Sequence, residues 1–244
     1  MKSLCIVKPV TSIVAGGAIR ILTPDPKEAI VIDGGDLGVT LDFGVPVTVD
    51  TIFLGYHTGG AVQGWSLNTT PQYNAGADTN ISGGDFSSLG YGNPTHVFRQ
   101  FAPATSRYWR IYFSRQGGAP FTIGTLALGL SWSSKWGQEM GAGRQVIDTG
   151  TAERLFGGGF AIDEGARAGG YQWTFGDLQA DEIRSLYQIV KDRGSTRSVL
   201  VVEDPEQTDG LNERIHWGLF ERLDFYERSD PTNWRWALRI SDWI

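Results

Sequence analysis

Only one of the 244 residues, Cys5, is a cysteine. A lone thiol excludes an intrachain disulfide and a cysteine-based zinc site, and it predicts folding in a reducing cytoplasm. No apolar run approaches the roughly 18 residues of a membrane-spanning helix, so no membrane partner is expected. Leu4 to Val7, the apolar stretch nearest the start, is too short for a secretory signal and is closed by Lys8-Pro9. H-E-x-x-H, G-x-S-x-G and phosphate-loop patterns are all missing. Gly157 to Gly159 precede Phe160-Ala161-Ile162 and no helix start, so they predict a hairpin turn and not a phosphate cradle. His57, His96 and His216 lie far apart in sequence. The expectation is therefore no enzyme, no catalytic residues, no metal and no cofactor.

What the chain does have is glycine, 33 residues, and large aromatics, including nine tryptophans. That mixture suits short strands, tight turns and bulky anchors in a thin sandwich. Charge is divided unevenly. Residues 1–135 hold nine basic and eight acidic side chains; residues 136–244 hold twelve and nineteen, a net of −7. The shift predicts two domains, and the acidic excess argues against general nucleic-acid binding.

Val39 to Leu54 reads V-T-L-D-F-G-V-P-V-T-V-D-T-I-F-L. Its period-two alternation, broken at Gly44-Val45-Pro46, predicts two strands around a short turn. Ala18 to Leu22 is a further strand candidate. Arg107 to Phe113 is the clearest strand of this half, with Tyr108, Arg110 and Tyr112 on one face and Trp109, Ile111 and Phe113 on the other. Ser133 to Gly143 reads as a linker. Beyond it, Gln145 to Phe156 and Ala168 to Phe175 read as strands. Ile183, Leu186, Tyr187 and Val190 then fall at helical spacing, which predicts one helix over about 177–193 with Asp177 as its cap. His216 to Glu227 and Asn233 to Ile240 predict two long strands, with Trp217, Leu219, Glu221, Leu223 and Phe225 on one face. The fold class is mainly β: a β-sandwich jelly roll over 1–134, then a β-rich α+β domain over 135–244.

Two loop features carry candidate chemistry. Asp78-Thr79-Asn80-Ile81-Ser82-Gly83 matches half of a calcium loop, but its twelfth position is Leu89 and no helices flank it. A polar turn is the expected reading there. Trp65, Tyr73 and Tyr91 lie among Asn, Ser, Thr and Gly, the composition of a sugar-facing surface, where a ring stacks on a pyranose and amides bond its hydroxyls. The same rings would also serve as plugs at the ends of a sandwich.

Asp42-Phe43-Gly44, Val49-Asp50-Thr51-Ile52 and Arg107-Tyr108-Trp109-Arg110-Ile111 together resemble the discoidin-like (coagulation factor 5/8 type C, galactose-binding-like) jelly-roll family over about residues 1–132. The family's terminal disulfide is absent here, and Ile30 or Ile32 replaces its usual tryptophan. The resemblance implies a scaffold that binds ligands through loops. Arg144 to Gly150, the helix ending Asp192-Arg193-Gly194, Val199 to Pro205 and His216-Trp217-Gly218-Leu219-Phe220 resemble the tail-tube-like domains of minor and distal tail proteins of long-tailed bacteriophages. That second resemblance implies a structural virion protein at the tail tip, assembled in the host cytoplasm. It implies a homo-oligomeric ring, six-fold in that family, joining the tail tube protein to the baseplate hub. DNA would pass through the lumen without specific binding, and the jelly roll, on the outside, would meet host glycans. A carbohydrate-binding module is the alternative role.

Overall fold

Val39 to Leu54 is not a hairpin. In the computed structural model, which describes residues 3–11, 14–15, 19–73, 77–86 and 95–243, it lies within one continuous strand, Leu37–His57. That strand pairs antiparallel along its length with a second long strand, Thr95–Ser114. The register slips between Asp42 and Val47, where Gly44 sits at φ +76° and its N–H is accepted by Asp42 Oδ1 at 2.7 Å. A glycine at positive φ followed by an unpaired stretch is a bulge, which bends a strand without ending it. Gly-Val-Pro therefore re-aims the strand, because the same partner is available on both sides of the break.

The chain divides into two units. The first, here called the sandwich unit, is Ile6–Trp132 with Asp204–Ile215; the second is Met1–Cys5, Ser133–Glu203 and His216–Ile244. The main passage, after residue 132, lies close to the boundary at 134 read from sequence. Short segments from each half belong to the other half's unit.

In the sandwich unit the strand order is Thr125–Ser133, Leu37–His57, Thr95–Ser114, Gly64–Thr70, Thr79–Asp85. A second, two-stranded sheet pairs Ile30–Ile32 with Phe121–Ile123. Residues Ile32, Phe121 and Ile123 of that pair share a core with Trp65, Leu67, Trp109, Ile111 and Phe113. Truncating one of the large buried rings would cost about 3–5 kcal/mol. Ile19–Leu22 is a 3-10 turn, not the strand expected from Ala18 onward; Ala18 itself lies outside the described residues.

In the second unit the order is Gly143–Asp148, Arg167–Leu178, Trp234–Asp242, Ile215–Arg222, Val199–Glu203. One α-helix, Ala180–Arg193, buries Ile183, Leu186, Ile189 and Val190. It begins three residues later than the sequence pattern suggested, and its cap is Gln179, not Asp177. Glu182 fixes that start: its Oε2 accepts the Gln179 N–H at 2.8 Å and its Oε1 accepts the Lys135 N–H at 2.6 Å. The helix closes at Gly194, whose N–H donates to the Val190 carbonyl. Tyr187 is half-exposed and sits against the rings of Tyr226 and Trp236, so Ile189 takes its place on the buried face.

The expected strand from Gln145 to Phe156 breaks at Thr149-Gly150, and an outlying hairpin, Thr151–Arg154 with Phe160–Asp163, follows. Every residue of its two strands is exposed, Phe160 and Ile162 included, and Leu155 and Phe156 are exposed at its turn. Leu223 and Phe225 also lie in solvent, while Phe220 is buried. A register slip between Phe220 and Arg222 ends the predicted alternation.

Candidate functional site

Alternation along three neighbouring strands of the sandwich unit sorts their side chains into a core face and an outward face. Trp109, Ile111 and Phe113 are fully buried, which turns Tyr108, Arg110 and Tyr112 outward. Opposite them in register stand Asp42, Thr40 and Gly38 on one side, and Thr70, Asn68 and Ser66 on the other. Next to Asn68 comes Asn80. Three rows of polar and aromatic residues therefore cross the sheet, fixed by backbone pairing and not by loop conformation.

These side chains are tied together. Arg110 donates from Nη1 to both oxygens of Asp78 at 3.1 Å and from Nε to Thr40 Oγ1 at 3.1 Å. Tyr112 donates its hydroxyl to Asp78 Oδ2 at 3.0 Å. Arg107 forks onto Asp42, with Nε to Oδ1 at 2.8 Å and Nη2 to Oδ2 at 2.9 Å. That fork and the Gly44 N–H hold the Asp42 carboxyl below its ordinary range. Asn80 donates to Asn68, and Asn68 to Ser66, each at 3.2 Å.

Three tyrosine rings lie over this floor. Tyr112 is 38% exposed and passes above Gly38, where any Cβ would stand 3.0 Å from the ring. Tyr73, also 38% exposed, meets Tyr108 edge to face at 6.2 Å. The Arg107 guanidinium lies 4.9 Å above the Tyr108 ring. Arg110 Nη2 is buried without a hydrogen-bond partner, a state that costs about 1–3 kcal/mol.

Of the three aromatics singled out from sequence, Tyr73 lies on this face. Trp65 does not: it is 4% exposed, pairs in register with Phe113 and packs in the core, so its ring is closed to a ligand. Alternation within its own strand sends Ser66 and Asn68 outward and Trp65 inward. Tyr91 lies outside the described residues. The half calcium loop is an edge strand, Thr79–Asp85, and its Asp78 is engaged by Arg110 and Tyr112; Leu89 lies outside the described residues. Among the described residues no group of three or more His, Cys, Asp or Glu side chains is placed to hold a metal ion.

The histidines do not converge. His57 is buried against Phe86, their ring centres 4.9 Å apart, and burial drives its pKa down to about 4. His96 Nδ1 accepts the Tyr56 N–H. His216 has the richest surroundings, which no local motif announced. Its Nε2 meets Glu203 Oε1 at 2.9 Å, and its Nδ1 lies 3.2 Å from both oxygens of Asp242. The ring is stacked beneath Tyr171 at 4.9 Å and 6°. Arg144 adds a second cation to Glu203 at 2.9 Å. Burial opposes charge on this imidazole, but its bonds to Asp242 and Glu203 prevail and raise its pKa. No nucleophile belongs to this set, and its closed packing makes it an internal ion cluster. The second unit also has a shallow hollow of about 210 Å³, lined by residues including Gln172, Thr174, Asp224 and Arg239. With a single carboxylate and no histidine it lacks an acid–base pair.

No family model matches the chain, and no curated protein matches it. Solved structures do resemble part of it. The CBM32 of AlyQ, in complex with 4,5-unsaturated mannuronic acid, is 19% identical, covers 50% of this chain and 94% of its own, and has a TM-score of 0.37. Chitosan-binding module 1 from the chitosanase/glucanase of Paenibacillus sp. IK-5 is 12% identical over 50% of this chain and 96% of its own, with a TM-score of 0.39. CBM32-1 from a family 31 glycoside hydrolase of Clostridium perfringens is 10% identical over 52% and 94%, with a TM-score of 0.36. At these identities and scores the likeness says nothing about a ligand for this chain.

Proposed function

We propose that the sandwich unit is a glycan-binding module and that the outward face of Tyr73, Tyr108, Tyr112, Arg107, Arg110 and Asp78 is its binding surface. The observation that carries this reading is the placement of exposed tyrosine rings directly beside paired guanidinium and carboxylate groups on a rigid sheet. Aromatic faces offer apolar contact to the C–H side of a pyranose, while the ion pairs and the asparagine ladder offer donors and acceptors to its hydroxyls. The test is binding of the full chain to a glycan array, followed by calorimetry. Tyr73→Ala and Tyr112→Ala are each expected to weaken binding about tenfold, roughly 1.4 kcal/mol. Absence of binding to every glycan at millimolar concentration would remove the reading.

The outlying hairpin favours a second reading for the other unit. A lone two-stranded hairpin is marginal in water, and this one exposes Leu155, Phe156, Phe160 and Ile162. Such an arm is suited to packing on another subunit, and head-to-tail contacts close into rings. Under this reading the chain is a virion protein of a phage tail tip, ring-forming, between tail tube and baseplate hub, with the acidic excess discouraging DNA from sticking in the lumen. Native mass measurement and particle images decide it. Rings that fall apart in Phe156→Ser and Phe160→Ser would support it, and monomers at every concentration would sink it.

A further inference from the structure

We propose that the second unit carries a saccharide-binding groove of its own, walled by Trp136, Asp177, Gln179, Thr232 and Asn233. The groove, of about 570 Å³, shares no residue with the outward face of the sandwich unit, so the two sites stand or fall separately.

Three segments build it around a break in one strand. Strand Arg167–Leu178 pairs with Trp234–Asp242, but the register slips between Phe175 and Leu178. A bulge re-aims side chains, and Asp177 lies exposed at this one. Ser229 Oγ donates to the Gly176 carbonyl at 3.2 Å, which ties the loop 229–233 to the same break. Asp230 fixes that loop. Its Oδ1 accepts the N–H and hydroxyl of Thr232 and the N–H of Asn233, and its Oδ2 accepts the Asn233 amide, all at 2.7–2.9 Å. Residues 134–139 reach the strand through the Glu139 N–H, which donates to the Thr174 carbonyl at 2.8 Å. Within that segment Trp136 is displayed on a turn, where Ser134 Oγ donates to the Gly137 carbonyl at 3.0 Å and Gly137 takes φ +73°.

The walls are therefore rigid, and their binding groups are unspent. Trp136 is 50% exposed although its turn is fixed, with Lys135 Nζ 5.0 Å from its ring centre. The Asp177 carboxylate has no hydrogen-bond or ion-pair partner among the described residues, and Asn233 keeps its Oδ1 free. An indole offers apolar contact to the C–H side of a pyranose, while a free carboxylate and planar amides bond its hydroxyls. A protein partner fits this lining less well. The centre of a protein interface is depleted of charge and rich in apolar anchors, whereas four of the five lining side chains are polar and one of them is an unpaired carboxylate. An added peptide strand needs an open sheet edge, and Arg167–Leu178 is already paired on both sides.

Fluorine NMR on the full chain labelled with 5-fluorotryptophan reads the site directly, with Trp136→Phe identifying the Trp136 signal. The probes are cellohexaose, mannohexaose, N-acetylchitohexaose and the β-1,4-mannuronate hexamer, each raised to millimolar concentration. The expected result is a saturable shift of the Trp136 signal with at least one of them, retained in Tyr73→Ala/Tyr112→Ala. By calorimetry in that double variant, Asp177→Ala and Trp136→Ala should each weaken binding about tenfold; neither side chain holds a hydrogen bond whose loss would unsettle the fold. A Trp136 signal that no probe moves would overturn the proposal, as would a shift that vanishes in the double variant or an affinity unchanged by Asp177→Ala. A signal that responds to the concentration of the chain and not to sugar would assign the groove to a second copy, and would overturn it too. If Tyr73→Ala and Tyr112→Ala leave all binding intact while the Trp136 signal still moves, the reading of the sandwich unit falls and this site stands.

Discussion

His57 of the sandwich unit and His216 of the second unit are both nearly inaccessible, at 0% and 4% exposure, and both lie against an aromatic ring. Their pKa values move in opposite directions. Around His57 the dominant influence is burial beside Phe86, partly offset by a backbone bond to Gly59, and its pKa falls to about 4. Around His216 burial acts in the same direction, but Asp242 and Glu203 each hold a ring nitrogen, and the pKa rises. Desolvation sets the cost of charge in both places; the partners decide whether that cost is met. The outward surfaces of the two units differ in the same spirit. One carries ion pairs interleaved with tyrosines, and the other carries an exposed apolar hairpin.

The difference between the two histidines rests on the carboxylates around His216, of which Glu203 lies nearest, at 2.9 Å. Glu203→Gln leaves His216 with one carboxylate in a closed site, and removing one partner of a buried pair costs about 3–5 kcal/mol. Urea unfolding, followed by hydrogen exchange in strands Val199–Glu203 and Ile215–Arg222, should show a loss of that size. A change below about 1 kcal/mol would mean that the cluster is not a buried charged one.

The next effect is the acid limb of His57. Its folded pKa lies below the unfolded value, so the unfolded chain binds the extra proton between about pH 6.5 and 4, and stability falls as pH drops through that window. The difference corresponds to roughly 3 kcal/mol. Comparing pH profiles of exchange protection in Leu37–His57 for the parent chain and His57→Phe should show the acid limb flattened in the variant. Parallel profiles would refute the assignment.

His216 carries the opposite sign. Its folded pKa is raised, so its contribution is fully present below the unfolded value near pH 6.5 and is lost as pH rises through the folded value. Glu203, whose pKa is lowered despite burial by its bonds to His216 and Arg144, contributes above its own unfolded value and loses that contribution in acid. The cluster is therefore most stabilising between the two. Thermal melts of His216→Gln should lose the alkaline decline, a smaller change than the first two; an unchanged decline would place its origin elsewhere. The smallest effect is expected at the hairpin: Phe156→Ser has no buried contacts to lose within its own chain, so urea stability should stay within about 0.5 kcal/mol of the parent. A larger loss would show that the hairpin packs against its own unit.

Much of the candidate face was legible from residues 107–113 alone, because period-two alternation assigns Tyr108, Arg110 and Tyr112 to one side whatever the strand pairs with. Trp65 was misplaced for a related reason. Its strand, Gly64–Thr70, alternates too, but composition points to a ligand site without stating which phase faces the core, and burial of the larger apolar ring settled it. The partners of the arginines were not legible: Asp42 lies 65 residues from Arg107, and Asp78 lies 32 from Arg110. Nor was Glu203–His216–Asp242, whose members come from three strands. The Gly-Val-Pro break gave a local signal common to a turn and a bulge, and only the strand alongside separates them.

Without any tertiary contact the chain already specifies the mainly β class, a helix near residue 183, the shift in charge near residue 135 and the outward side of Arg107 to Phe113. Each of these follows from local period or composition. Only tertiary contacts settle that Leu37–His57 is one strand, that each arginine of the face has a carboxylate, and that one buried histidine has its pKa lowered and the other raised. Those outcomes depend on which distant backbone lies alongside, because a hydrogen bond or an ion pair needs its two atoms about 3 Å apart, and residue spacing along the chain does not specify that distance.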